Sequence, residues 1–216
     1  DEIYERNIAA LGDIPYCRIR NGDMVQQDWD KLALAVHKIK GAPMWTVETP
    51  NIHINQMRAY ARKVHRKNPL SLVLVDHINI ATGRGDNRTL EVGSISRGLK
   101  ALAKELKCPV LALSQLNRGC ESRAKDEKRP RLSDLRESGD IEQDADIVAF
   151  VYRDEYYNSD SQDKGIVEIN TAKFRGGEVG IDHLANKLHV MRMEDLEGGY
   201  IPPTSKQKQV ATEGFE

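Results

Sequence analysis

Leu70-Ser71-Leu72-Val73-Leu74-Val75-Asp76 decides how the rest of the chain is read. Apart from Ser71 the run is aliphatic until it stops on a carboxylate. A run without polar alternation is expected of a strand buried between two helical layers. In open α/β sheets ligands bind just past the carboxyl ends of strands, so Asp76 is the first residue to weigh for chemistry.

Working outward, Gly83-Arg84-Gly85-Asp86-Asn87 is a loop, and Val92, Ile95, Leu99, Leu102 and Leu106 form a helical stripe closed by Lys107-Cys108-Pro109. Val110 to Leu113 and Ala145 to Tyr152 read as two further buried strands, the first ending at Ser114-Gln115. Upstream, Trp29, Leu32, Val36 and Ile39 recur at helical spacing from a cap at Asp28 to Lys40-Gly41. Met44-Trp45-Thr46-Val47 is a short strand, broken by Thr49-Pro50-Asn51. Ile54, Met57, Ala61 and Val64 mark another helix, whose outer Arg58, Arg62, Lys63 and Arg66 read as a solvated face. Ile166 to Phe174, Gly176-Gly177 and Val179 onward form a hairpin that finishes the sheet. After about Met193 the pattern fades, and Ile201 to Glu216 read as a tail. Strands alternating with helices predict an α/β fold with a mostly parallel sheet.

Composition fits that class. The chain has 216 residues, 32 Lys+Arg against 33 Asp+Glu, and 39% hydrophobic residues. No apolar run approaches the roughly 20 residues that span a bilayer, and the first residues lack the basic and apolar regions of a secretion signal. The expectation is a soluble, cytoplasmic protein with no membrane partner. Cys17, Cys108 and Cys120 are odd in number and widely spaced, which points away from a disulfide framework or a structural zinc site.

The strand ends offer Asp76, Gln115 and the pair Lys173 and Arg175. A strand-tip aspartate can hold Mg²⁺ beside phosphates, often through water, although such residues more often form turns or caps. A glutamine amide both donates and accepts, so Gln115 can touch a terminal phosphate or orient water; bonding to backbone is the ordinary alternative. Lys173 and Arg175 lie two apart on a predicted strand and share a face, where they could clamp a phosphate or simply protect a sheet edge. From Arg118 to Arg136 the chain is polar and lacks apolar periodicity, unusual inside a compact domain without a function. No Gly-x-x-x-x-Gly-Lys-Ser/Thr segment occurs, so the backbone nest that cradles β- and γ-phosphates is not among these residues.

Taken in order, these pieces resemble the carboxy-terminal motor domain of DnaB-type replicative DNA helicases, phage versions included, from about Arg18 to about Arg175. The matching stretches are Arg18-Ile19-Arg20-Asn21-Gly22 with Asp28-Trp29, Glu48-Thr49-Pro50, Leu72 to Asp76, Ile95 to Leu106, Pro109 to Arg118, Leu132 to Asp146, Tyr152-Arg153-Asp154-Glu155 and Ala172-Lys173-Phe174-Arg175. The resemblance implies a RecA-like P-loop NTPase core, its sheet flanked by helices and ending in a β-hairpin, here truncated at the amino end. It implies a partial motor domain over residues 1–195 and a tail, expected to be disordered, over 196–216.

The resemblance also implies residue roles. Asp76 matches the Walker B aspartate that supports Mg²⁺ at ATP. Gln115 matches the glutamine that senses the γ-phosphate. Lys173 and Arg175 match a Lys-x-Arg pair that reaches into the neighbouring subunit's ATP site. Arg136, Glu137, Ser138 and Gly139 match a channel loop gripping single-stranded DNA, and the basic stretch from Arg118 matches a second one. The implied machine is a hexameric ring of identical subunits moving 5′ to 3′ on single-stranded DNA, with primase and a helicase loader as partners. In the family the P-loop and the catalytic glutamate lie upstream of the segment resembling Asp1 onward, so this stretch alone is expected to be inactive as an ATPase and poorly stable. His77 and Asn79 replace the usual tyrosine and glutamine and are expected to be tolerated. Past Gly177 the likeness thins at His183, Asn186 and His189. Two alternatives stay open: a non-enzymatic adaptor or inhibitor that keeps the DNA loops, and a RecA-type recombinase.

Overall fold

The computed structural model describes residues 2–124, 127–198 and 200; of residues 118 and 136–139 it describes the main chain only. Most of the expected tail therefore lies outside the described residues. The described chain divides into two compact units, one drawn from the segments up to Thr46, Tyr152–Ile169 and from Ile181 on, the other from Val47–Val151 and Asn170–Gly180.

The first unit holds α1 (Glu2–Gly12), α2 (Tyr16–Asn21) and α3 (Gln26–Gly41), with Ala9, Ile14 and Ala35 fully packed. The sequence reading did not find α1, and it placed Asp28 as a cap. Asp28 instead sits inside the first turn of α3, where its buried carboxylate accepts from the Val25 N–H at 3.1 Å and from Arg18 Nη1 at 3.1 Å. Residues 43–49 form no strand, contrary to expectation; they find no sheet partner among the described residues and lie exposed.

The second unit is built on α4 (Ile54–Lys67), β1 (Val73–Val75), α5 (Arg88–Leu106) and β2 (Val110–Ala112). Asn87, read from sequence only as the end of a loop, caps α5 by accepting from the Leu90 N–H at 2.9 Å. β1 and β2 are parallel, with Val73 opposite Val110, Leu74 opposite Leu111 and Val75 opposite Ala112. Pairing continues beyond the strands, through Leu113 N–H to Val75 O at 2.9 Å and Ile78 N–H to Leu113 O at 2.9 Å. One core joins Ile54, Ile78, Val92, Ile95 and Leu99 with Val75 and Val110; a second joins Leu102, Leu106 and Cys108 with Leu70 and Val73.

The expectation of strands covered on both sides is not met. Leu72, Leu74, Leu111 and Leu113 lie between 45% and 57% exposed, because within the second unit helices pack on the opposite side of β1 and β2 only. β3 (Ile147–Tyr152) alternates likewise, with Val148, Phe150 and Tyr152 buried and Ile147 and Val151 open.

α6 (Gly139–Asp144) precedes β3, and α7 (Asp154–Tyr157) follows it. β3 heads a second sheet of order β3-β4-β5-β6, with β4 at Ile166–Phe174, β5 at Gly180–Lys187 and β6 at Arg192–Asp195. The expected hairpin is β4 and β5. β6 extends it antiparallel to β5, a strand too polar to be read from apolar pattern. In the first unit, Arg192 on β6 bonds the Ala10 carbonyl and the Asp13 carboxylate, both at 3.0 Å.

Candidate nucleotide and strand-binding site

Asp76 immediately follows β1 and its side chain is 59% exposed, with His77 Nδ1 4.0 Å from its carboxylate. Gln115 lies three residues past β2, on the adjacent parallel strand, so both chosen residues stand at one end of the same pair. Asn79 ties that end together. Its side-chain Oδ1 accepts from the Gln115 main-chain N–H at 3.0 Å and from Ser114 Oγ at 3.5 Å. Asn79 is itself held through its carbonyl by Arg88, whose Nη1 reaches the Ala81 carbonyl at 3.4 Å and Glu91 Oε2 at 2.5 Å. The Gly83 N–H, with Arg88, keeps the Glu91 carboxyl below its ordinary pKa.

An exposed, lightly paired carboxylate fits an ion that keeps several waters and takes most of its ligands from a substrate's phosphates. No group of three or more His, Cys, Asp or Glu forms a metal cage among the described residues. The carboxylate's exposure suits Mg²⁺ brought with a nucleotide.

Lys173 on β4 and Arg175 just beyond it do share a face, as their spacing predicted, and both reach α6. Lys173 Nζ donates to the Glu142 carbonyl, and Arg175 Nη2 to the Gln143 carbonyl. Arg175 also pairs with Asp146 at 3.6 Å, and its N–H donates to the Asp146 carbonyl at 2.9 Å. The Asp146 carboxyl is held below its ordinary pKa by its hydrogen bond from Lys100, with Arg175 and Lys104 adding to the field. Among the described residues no hydrogen bond or ion pair joins Lys173 or Arg175 to Asp76 or Gln115.

The two expected strand-binding segments lie side by side. Arg118 begins a 3₁₀ turn, Arg118–Ser122, and Arg136, Glu137 and Ser138 end another, Leu132–Ser138, with Gly139 as the first residue of α6. Asp134 knits the two segments: it is buried, accepts from Arg123 and from the Arg131 N–H at 2.8 Å, and its carbonyl takes the Asn117 N–H at 3.2 Å. The side chains of Arg118, Arg136, Glu137 and Ser138 lie outside what the structure describes, as does any close approach made at Gly139.

Asn79, Asp134 and Asp146 were not singled out as working residues from sequence. Their partners lie 36, 11 and 46 residues away for Gln115, Arg123 and Lys100, so no local spacing announces them. An apolar cavity of about 350 Å³ in the first unit, lined by Tyr4, Ile8, Val36, Ile39 and Met44 among others, includes none of the residues chosen for chemistry.

Residues 1–195 match the family model of the DnaB-like helicase C terminal domain. The chain is 43% identical over 209 residues to the replicative DNA helicase DnaB of Geobacillus stearothermophilus, covering 94% of this chain and 46% of that protein. It is 41% identical to the replicative DNA helicase DnaC of Bacillus subtilis (strain 168), with 94% and 46% covered, and 46% identical to the DnaB of Haemophilus influenzae (strain ATCC 51907 / DSM 11121 / KW20 / Rd), with 91% and 42% covered. It thus spans less than half the length of these relatives. Among solved structures it superposes on an ATPase domain with a TM-score of 0.85 at 39% identity, covering 90% of this chain and 70% of that one. It superposes on a DnaB-like replicative helicase described with its interactions with primase at a TM-score of 0.86 and 39% identity, covering 91% and 49%. With the RecA-like α/β fold that these neighbours share, the chain belongs to the DnaB-like helicase C-terminal domain family.

Proposed function

We propose that the intact protein is an ATP-dependent replicative DNA helicase and that this chain supplies two half-sites and a strand-contact surface to a ring of identical subunits. The observation that carries the reading is the parallel pair β1–β2, which stations Asp76 and Gln115 at one strand end while Lys173 and Arg175 are held elsewhere, on α6. Cationic and acidic halves that share no hydrogen bond or ion pair among the described residues suit a phosphate site assembled between two copies.

Asp76 would support Mg²⁺ through water. Gln115, its main chain fixed by Asn79, would hold its amide toward a terminal phosphate. Lys173 and Arg175 would serve the neighbour's phosphates, where a guanidinium stabilises charge that grows during transfer. Arg118, Arg136, Glu137 and Gly139 would contact single-stranded DNA, by charge at the arginines and close main-chain approach at the glycine. A hexamer, 5′ to 3′ movement, and primase and a loader as partners belong to the same reading. Bound ATP would be the substrate whose hydrolysis drives movement, and Mg²⁺ would neutralise charge on its phosphates. The uncovered faces of β1, β2 and β3 support a further segment of the longer protein packing there.

The test uses the full-length protein. Arg175→Ala should abolish DNA-stimulated ATP hydrolysis while nucleotide binding persists, and mixed rings with wild type should lose activity faster than in proportion to the mutant fraction. Undiminished hydrolysis would remove the trans role. Arg136→Ala should lower the salt slope of strand binding by about one unit.

A further inference from the structure

α6 touches both halves of this machinery. Its first residue, Gly139, directly follows the turn Leu132–Ser138 expected to grip the strand, and its last carbonyls hold the two cations expected to reach a neighbour. Helix-end carbonyls have no partner within the helix, and cations stabilise that end. Lys173 and Arg175 therefore take their aim from α6.

The helix is pinned to α5 at both ends. Arg97 Nη1 pairs with Asp140 Oδ2 at 2.5 Å, and Lys100 pairs with Asp146, two residues past the last turn. The Asp140 carboxylate lies where a side chain on residue 93 would begin: a Cβ there would overlap Asp140 Oδ2, so the carboxylate holds this position beside Arg97 only over a glycine. Asp146 also pairs with Arg175, and both side chains are more than half exposed, at 60% and 52%. Such a pair is weak, and a phosphate carrying more charge displaces a lone carboxylate from a guanidinium.

We propose that α6 is the coupling element of this chain: it shifts with the Leu132–Gly139 segment when a strand binds, and so re-aims Lys173 and Arg175, while Asp146 acts as the stand-in anion that keeps Arg175 parked until a phosphate replaces it. This rests on the roles proposed above for Arg175 and for Arg136 to Gly139. Asp146 is a positioning residue, acting through Arg175.

The measurement is the ratio of ATP hydrolysis with saturating single-stranded DNA to hydrolysis without it, in the full-length protein. Asp146→Asn keeps the shape and removes the charge. It should raise the DNA-free rate and lower the ratio at least about fivefold, the lower end of measured couplings between sites, while strand affinity stays within about twofold; Asp146→Glu should restore the ratio. Asp140→Asn, which frees the other end of α6, should lower the ratio as well. Both rates falling together in Asp146→Asn would indicate a merely structural role and overturn the proposal, as would wild-type ratios in both variants. If Arg175→Ala is inactive yet both variants keep the wild-type ratio, the coupling role of α6 fails and the trans role of Arg175 stands. If Arg175→Ala hydrolyses normally, both fail.

Discussion

Val73, Val75 and Val110 are packed under α4 and α5, whereas Leu72, Leu74, Leu111 and Leu113, from the same two strands and their flanks, remain about half exposed. The two faces are equally apolar. What differs is the cover: the second unit brings its helices to one side only. Single exposed leucines are ordinary, but several on one sheet face mark a surface made to be covered. Substitutions on the two faces should therefore differ by far more than their chemistry does.

The largest effect belongs to the closed face. Ile95 is 0% exposed and central to its cluster. Ile95→Ala should cost about 2–5 kcal/mol of unfolding free energy, through lost burial and the cavity left behind, read by denaturant titration of the longer protein. Next comes the seam where α4 meets α5. A Cβ on Gly98 would collide with Ile54 Cγ1. Gly98→Ala should cost about 1–3 kcal/mol by overpacking, although alanine is the better helix former. A neutral result would mean that α4 slides easily over α5, and the closed face would be less firmly closed than described.

Much of this seam was legible in the sequence. Apolar recurrence located α3, α4 and α5, because helix periodicity is a local property, although the cap read at Asp28 lies inside the first turn of α3. The exposure of Leu72 and Leu74 was not legible, since hydrophobicity reports what a residue would gain from cover and says nothing of whether cover is present. Met44 to Val47 failed for the same reason, an apolar run with no partner strand beside it among the described residues. β6 was missed because its residues, Arg192-Met193-Glu194-Asp195, are placed by ion pairs to Asp13 and Lys187 more than by apolar burial. At the candidate site the residue types Asp76, Gln115, Lys173 and Arg175 could be picked by eye. Asn79, Asp146 and the α6 carbonyls that hold them could not, because those contacts join positions 31 to 46 residues apart.

The outer edge of the closed side offers a pH handle. Arg62 grips Glu105 with Nε at 2.5 Å and Nη2 at 2.7 Å, Arg58 adds a bond at 3.3 Å, and together they pull the Glu105 carboxyl from 4.5 to about 2. The folded value lies below the unfolded one, so the pair's stabilisation is complete above pH 4.5 and fades as pH falls toward 2. Glu105→Gln should melt below wild type near neutral pH, and the two curves should converge in acid. The shift is modest because the group is exposed to solvent and salt. Equal melting temperatures at neutral pH would mean that the α4–α5 seam rests on its apolar contacts alone.

The smallest effect discriminates most. Leu74 projects from the open face and is 57% exposed. In the 216-residue chain, Leu74→Ala removes few contacts and should change stability by about 0.5 kcal/mol or less. In the longer protein, if a further segment covers this face, Leu74 becomes a core residue there and the same change should cost about 2–5 kcal/mol. Denaturant titrations of both proteins, each with and without the substitution, give the difference directly. A large cost in the short chain would mean the face is already covered there, by self-association, and the cost would then fall on dilution. A negligible cost in both would leave Leu72, Leu74, Leu111 and Leu113 facing solvent even in the longer protein, and the contrast between the two faces would be a property of this sheet and not a place kept for another segment.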